Sequence, residues 1–334
     1  MTKKVAINGF GRIGRAVMRL LTTIENDFEV VAINDLTDPE TLLHLLKYDS
    51  VHGTFPQAKL KDNTMIIGDH KPQISAIKDP TQLPWGELGV ELVFECTGIF
   101  RTQEGAQKHI TAGAKKVVIS APAKSDIATF VMGINHEDYD PDVHHIVSNA
   151  SCTTNCLAPV VQVLHSRFGI ESALMTTIHS YTSSQCILDL PHSDLRRGRA
   201  AAVSMIPTTT GAAKAIGLVI PELNGKINGM AVRVPTPNVS MVDLVAELKQ
   251  ETNAGEINEA MIAAAKDGPL AGRLFVSEEP LVSVDYMSNT ASSTVDMDFT
   301  STCGKQVKII SWYDNEYGYS ARLIDLASHI AKQM

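Results

Sequence analysis

Apolar and polar positions follow two distinct periods along the first 150 residues. Short apolar runs at residues 3–7, 29–34 (EVVAIN), 92–95 (LVFE) and 116–120 (KVVIS) predict buried strands. Between them, Ile13, Val17, Leu20, Leu21 and Ile24 recur at helical spacing over residues 12–24, and residues 40–46 and 104–112 read as further helices. Strands alternating with helices predict a parallel sheet covered on both faces, hence an α/β fold. Ligands of such sheets lie at the carboxyl ends of the strands. The loops at 8–14, 34–37, 97–100 and 120–122 are therefore where a ligand belongs.

The pattern changes near residue 150. A strand at 145–147 leads into a helix at 154–168. From residue 226 onward, Val-, Ser- and Thr-rich runs at 229–235, 240–248, 281–286, 294–298 and 307–312 predict a largely antiparallel sheet with one face solvated or covered by a partner. Helices interrupt at 256–266 and 319–332. A boundary falls near residues 149–151.

Composition narrows the functional classes. A chain of 334 residues accommodates two domains. With 44% hydrophobic and 20% charged residues it is a globular chain, not a disordered one. No apolar run approaches the roughly 18 residues of a membrane span, and the start MTKKVAING lacks a signal peptide's apolar core. No membrane association is expected. A formal net charge of −8 argues against nucleic acid as the main partner, since phosphate backbones demand surplus Lys and Arg. The five cysteines, Cys96, Cys152, Cys156, Cys186 and Cys303, are odd in number and predict a reduced, cytoplasmic protein. Cys152 and Cys156 form a CxxxC pair with no accompanying CxxC or HxxxH, so no metal is expected.

Residues 8–14 (NGFGRIG) form a G-x-G-x-x-G turn between the first strand and the first helix. Gly9 suits a tight turn, Gly11 lets backbone approach a pyrophosphate, and Gly14 allows close helix–strand packing. The following helix start offers free N–H groups to phosphate. Asp35 ends the second strand near the spacing at which a carboxylate accepts the ribose hydroxyls. No Arg follows it immediately, which favours NAD over NADP. The expected architecture is an N-terminal Rossmann-type doubly wound domain over residues 1–150 and an α+β catalytic domain over 151–316. A C-terminal helix over about 317–334 returns to the first domain.

Residues 148–156 (SNASCTTNC) join a strand to a helix. A thiol at such a junction meets the positive end of the helix dipole, which favours its thiolate. From these residues alone, a small buried thiol is the alternative. The block 150–156 (ASCTTNC) resembles the active-site signature of the phosphorylating glyceraldehyde-3-phosphate dehydrogenases. So do 8–14, 47–53 (KYDSVHG), 176–179 (TTIH), 194–197 (DLRR), 210–215 (TGAAKA), 232–235 (VRVP) and 312–319 (WYDNEYGY), in family order over essentially the whole chain.

That resemblance implies oxidation of glyceraldehyde 3-phosphate to 1,3-bisphosphoglycerate with reduction of NAD, in glycolysis or gluconeogenesis. Cys152 is the implied nucleophile, forming a hemithioacetal and then a thioester, and His179 the implied base. Thr182 and Arg233, with Arg197 nearby, are the implied holders of the substrate's phosphate. Ser151, Thr153, Thr210 and Gly211 are the implied site for inorganic phosphate. Arg12, Ile13, Asp35, Ser120 and Asn315 occupy family NAD positions, and Lys78 stands near the adenine where an Arg is common. The family assembly is a homotetramer. Ser183-Ser184 replaces a usual Asn-Asp pair, and Gly198 replaces a usual Ala. Alternatives are an erythrose-4-phosphate dehydrogenase, or a non-catalytic nucleotide- or RNA-binding regulator on the same fold.

Overall fold

Polar residues end the apolar runs of the first half, and that is where the sheet of the first unit opens to ligand. A computed structural model describes residues 2–334. The first of two units comprises the residues up to Phe130, His136–Ala150 and Ser320–Met334; the second comprises Val131–Asn135 and Ser151–Tyr319.

The first unit holds a nine-stranded sheet. Its order is Ala128–Thr129, Ile146–Ser148, Lys116–Ile119, Leu92–Glu95, Lys3–Asn8, Phe28–Asn34, Gln73–Ser75, Thr64–Ile67 and Ala58–Lys61. The first seven run parallel, and the last two add an antiparallel edge that the sequence pattern did not predict. Leu92–Glu95 and Lys116–Ile119 are buried at every position, as strands covered on both faces must be. Chain order reverses at Lys3–Asn8, which has Phe28–Asn34 on one side and Leu92–Glu95 on the other. Ligands favour such a switch point.

The expected helices form as Arg12–Leu21, Pro39–Lys47 and Gln103–Thr111. The first stops three residues short of the expected Ile24, because the Thr22 and Thr23 hydroxyls donate to the carbonyls of Arg19 and Leu20. A buried polar network ties the strand ends together. The Trp85 indole donates to His109 Nδ1 at 3.0 Å, which leaves the ring proton on Nε2 to be donated to Glu95 Oε2, also at 3.0 Å. Asn8 donates to the same oxygen at 2.6 Å, and Asn34 donates to Asn8 at 2.8 Å.

The second unit holds a seven-stranded sheet in the order Ile206–Thr209, Ile227–Val234, Ile170–Ser180, Ser240–Leu248, Gln306–Tyr313, Ser293–Cys303 and Leu274–Ser277. Most pairings are antiparallel; Ile170–Ser180 with Ile227–Val234, and Leu274–Ser277 with Ser293–Cys303, are parallel. Cys152–Phe168 packs on one face, beside Ala212–Val219 and Ala254–Lys266. The expected strand at 281–286 is instead a 3-10 turn, Ser283–Tyr286. The Asp285 carboxylate accepts the Val282 N–H at 2.8 Å, a donor that a strand ladder needs.

Gly9 sits at φ +91°, and a Cβ there would lie 2.6 Å from Thr97 N. A Cβ on Gly14 would overlap the carbonyl of Gly9, whereas one on Gly11 would meet open space. Gly14→Ala should therefore cost about 1–3 kcal/mol by overpacking. Gly11→Ala should cost less than about 1 kcal/mol, the scale of a changed helix cap. Urea unfolding of the two variants checks this, and equal losses would count against it.

Candidate active site

In the first unit, a cavity of about 790 Å³ opens at the carboxyl ends of the parallel strands. Of the residues singled out by sequence, Gly9, Gly11, Asp35 and Lys78 line it. Gly11 begins the helix Arg12–Leu21 without any side-chain cap, and such a helix start presents backbone N–H groups and the positive end of its dipole to an anion. Asp35 accepts from Phe10 N at 2.7 Å and from Thr37 N at 3.0 Å, which fixes its carboxylate across the glycine turn. An uncapped helix start, a glycine with open space beside it and a fixed carboxylate fit a dinucleotide's pyrophosphate and ribose.

Other expected cofactor residues lie outside that lining. Arg12 pairs with Asp49 at 2.5 Å, Gly14 sits behind the turn, Ile13 is half-buried, and Ser120 donates its N–H to Glu95 O at 3.0 Å. Asn8, Asn34, Thr97 and Phe100 line the cavity within the loops expected to meet a ligand, though none was named as a cofactor residue, and Ile77 and Gln82 line it from outside those loops. For Asn8 and Asn34 the signal was present: each is the polar residue that ends an apolar strand run.

The second unit builds a reactive centre. Ala150, at φ +56°, takes a left-handed turn that costs a non-glycine residue about 1–2 kcal/mol. Ser151 then caps the helix, its Oγ accepting from Thr154 N at 3.1 Å, and Cys152 is the first helical residue. The helix ends at Phe168, and Gly169, at φ +70°, is the only residue before the strand Ile170–Ser180. Helical residues rise about 1.5 Å and strand residues about 3.3 Å, so the strand needs only about eight residues to run back the length of a 17-residue helix. His179 is the tenth residue of that strand. Its Nε2 lies 3.5 Å from Cys152 Sγ.

His179 Nδ1 lies 2.7 Å from both Ser180 O and Arg233 Nη1. Burial, reinforced by the Arg233 charge, pushes the ring down to about 3, so the imidazole is neutral. Burial also raises the Cys152 thiol, against the opposing pull of Arg233 and the Thr153 N–H. The expectation that the helix start alone favours a thiolate is thus corrected: desolvation outweighs it. Cys156 and Cys96 are pushed further, each to about 12, by burial.

Tyr313 was not anticipated. Its hydroxyl bridges Thr153 Oγ1 at 2.9 Å and Thr177 Oγ1 at 2.8 Å, and its ring meets His179 edge-on with centroids 6.0 Å apart. It lies within the block 312–319 that carries the family resemblance, but nothing in the sequence pointed to its bridging role.

Arg233, paired in register with His179, has a buried Nε with no partner. Arg197 donates to Thr208 Oγ1 at 2.9 Å and pairs with Asp194 at 3.5 Å, yet its charge still acts on both His179 and Arg233. Thr182 and Ser184 share a hydroxyl contact at 2.9 Å in a turn of their own. Thr210 accepts from Ala212 N at 3.2 Å, and Gly211 starts the helix Ala212–Val219 with no side-chain cap. Asn315 accepts at Oδ1 from Ser240 Oγ at 2.8 Å, which fixes which end of its amide is the oxygen.

The arrangement is a thiol, a neutral base and a guanidinium in one contact chain. Residues 3–103 match the family model described as "Glyceraldehyde 3-phosphate dehydrogenase, NAD binding domain", and residues 151–315 match that described as "Glyceraldehyde 3-phosphate dehydrogenase, C-terminal domain". The chain is 60% identical to "Glyceraldehyde-3-phosphate dehydrogenase" of Geobacillus stearothermophilus, covering 100% of this chain and 99% of that relative. It is 57% identical to "Glyceraldehyde-3-phosphate dehydrogenase 1" of Bacillus subtilis, at 100% and 99% coverage. A Streptomyces coelicolor relative of the same name is 52% identical, with both chains covered in full.

The neutral state of His179 carries a stability signature. Its ordinary value of 6.5 applies in the unfolded chain, so the unfolded state binds more protons between pH 6.5 and about 3. Stability from the neutral ring is present above that window and is lost as pH falls through it. The unfolding free energy of the native chain, minus that of His179→Gln, should decline from pH 6.5 downward. A difference that stays flat across the window would contradict burial of a neutral ring.

Proposed function

The chain belongs to the glyceraldehyde 3-phosphate dehydrogenase family, and from that premise we propose how its residues divide the reaction. It is an NAD-dependent oxidoreductase that converts glyceraldehyde 3-phosphate to 1,3-bisphosphoglycerate. The observation that carries the residue assignment is the 3.5 Å approach of Cys152 Sγ to His179 Nε2 at a helix start.

Because burial raises the thiol and leaves the imidazole neutral, the proton passes from Sγ to Nε2 as the sulfur attacks the aldehyde carbon. Nε2 hands that proton to the carbonyl oxygen, which becomes the hydroxyl of a hemithioacetal, and the ring is neutral again. His179 then takes the hydroxyl proton while the C1 hydrogen departs with its electron pair, leaving a thioester on Cys152. Bound NAD supplies the hydride acceptor. A phosphate oxygen next attacks the thioester carbon, the C–S bond breaks, and Cys152 leaves as thiolate.

Gly9, Gly11, Arg12, Ile13, Gly14, Asp35, Lys78 and Ser120 hold the dinucleotide, and the Asn315 amide nitrogen serves the nicotinamide carboxamide. The uncapped helix start and the fixed Asp35 carboxylate support this. Arg233 and Thr182, with Arg197 nearby, hold the substrate's phosphate; the unpartnered buried Nε of Arg233 supports an anion there. Inorganic phosphate attacks from Ser151, Thr153, Thr210 and Gly211, where two uncapped or hydroxyl-capped helix starts lie. Residues 1–150 form the NAD-binding domain with 317–334, and 151–316 the catalytic domain; the two units support this division except that Val131–Asn135 and residues 317–319 fall in the second.

The protein acts in the cytoplasm as a homotetramer. Five free cysteines suit a reducing compartment. Leu174, Met230 and Val245 stand exposed on strands of the second sheet, an apolar face suited to a second copy. No helix among the described residues is long and apolar enough to cross a membrane.

Cys152→Ser should abolish NADH formation at 340 nm from glyceraldehyde 3-phosphate and phosphate while leaving NAD binding intact. Iodoacetate should label Cys152 well before Cys156 or Cys96, whose thiols are held at about 12. Labelling of Cys156 first, with activity retained, would falsify the assignment. A separate test concerns Asp35. A hydrogen bond to a charged group is worth roughly 1.5–3 kcal/mol, so NAD should be preferred over NADP by about tenfold to a hundredfold or more. Asp35→Ala should narrow that ratio of kcat/KM, and an unchanged ratio would remove Asp35 from cofactor selection.

A further inference from the structure

We propose that His136, Glu137 and His329 form a binding site for a zinc ion, which ties the C-terminal helix to the turn that precedes Tyr139. All three residues belong to the first unit, and none of them lines the cavity at Asp35 or takes part in the Cys152 centre.

The ligands come from segments far apart in the chain. His136 and Glu137 begin the 3-10 turn His136–Asp138, and His329 stands in the last turn of the helix Tyr317–Ala331. Their donor atoms all lie within 4.8 Å of one another. His136 Nε2 is 3.1 Å from Glu137 Oε1, and the His136 and His329 rings meet edge-on with centroids 5.1 Å apart. Two ligands held about 2.1 Å from one tetrahedral ion stand about 3.4 Å apart. The His136–Glu137 spacing is already of that size, and no pair has to close by more than roughly 1.4 Å. His136 is buried, and Tyr139 and Gln333 contact the His329 ring from two sides, so both imidazoles are in place before an ion arrives. Glu137 is exposed and has room to close on it.

The donor set selects the ion. Calcium and magnesium take oxygen ligands and copper(I) prefers sulfur, whereas two imidazoles and a carboxylate suit zinc. Local charge favours a cation as well. Asp138, Asp140 and Asp142 follow Glu137 at exposed positions, and His329 stands at the carbonyl end of its helix, the negative end of the dipole. The nearby Lys116 ammonium, 5.6 Å from the Tyr139 ring, is occupied by the carbonyls of Pro141 and His144.

A carboxylate only accepts, so in the ion-free chain His136 donates to Glu137, and zinc substitutes for that proton as the link between them. Three protein ligands leave the fourth position to water. Because the ion binds the folded arrangement, it opposes unfolding by mass action. Cysteine spacing pointed away from a metal; ligands drawn from two distant segments leave no spacing to read.

The test uses the full chain with Cys152 blocked by iodoacetate, since that thiol beside His179 is a competing zinc ligand. Calorimetry with zinc chloride should show one ion per chain. Cobalt(II) in its place should give visible d–d bands without the near-ultraviolet sulfur-to-metal band of a thiolate site. His329→Gln and Glu137→Gln replace side chains that are not buried, and each should weaken zinc by more than the roughly tenfold to hundredfold that loss of an outer partner costs. Both variants, left unblocked, should keep native dehydrogenase activity, which shows them folded. Zinc should raise the urea midpoint of the blocked native chain and leave that of His329→Gln where it was. No bound equivalent in the blocked native chain, an equivalent that carries the sulfur-to-cobalt band, or an affinity unchanged in either variant overturns the site.

Discussion

Burial of His179 leaves its ring neutral and raises the Cys152 thiol, so neither partner ionises alone. Chemistry has to begin with a proton moving between them, across one 3.5 Å contact. The surroundings answer to that demand. Tyr313, itself raised well above its ordinary value by burial, stays a neutral bridge between Thr153 and Thr177. Its hydroxyl ties the helix that carries the thiol to the strand that carries the base. Arg233 stabilises a developing thiolate and opposes a developing imidazolium, which makes its position the sensitive variable of the centre.

The first unit solves a different problem with similar means. Its central strands are apolar and covered on both faces, then end in Asn8, Asn34 and Glu95, which are buried yet polar. Left unpaired, each would cost a few kcal/mol. They satisfy one another across three strands, and His109 and Trp85 close the network from behind. The floor of the cavity is thereby rigid, and the glycine turn and Asp35 rest upon it. Glu95 also accepts from the Thr97 N–H at 2.8 Å, which fixes the turn that limits how close Gly9 can come.

Much of this could be read from the chain. Leu92–Glu95 and Ser240–Leu248 form over the same residues that the apolar pattern marks, because covered or alternating strands of that length leave an unambiguous period. Ile170–Ser180 escaped notice although it carries His179. Its run IESALMTTIHS mixes two exposed polar positions with a buried threonine and a buried histidine, and burial of Thr177 and His179 follows from packing rather than from any local period. The strands Ala58–Lys61, Thr64–Ile67 and Gln73–Ser75 were likewise missed, being only three or four residues long and parted by turns at Asp62-Asn63 and Gly68-Asp69. At the reactive centre, sequence located the thiol at a helix start but could not weigh dipole against desolvation. The Arg233–His179 contact was equally out of reach, since it depends on which residues a parallel pairing sets side by side.

The single-residue link at Gly169 makes chain length between the two reactive groups a property under constraint. Deleting one residue from the helix would turn Cys152 about 100° around the axis and draw it back about 1.5 Å. Deleting one from the strand would send the histidine to the opposite face of the sheet. Point substitutions along this segment alter packing by degrees, but an insertion or deletion between residues 152 and 179 dismantles the pair outright. Over evolutionary time this stretch can therefore drift in composition while its count of residues cannot, and length variation among descendants must collect in other loops.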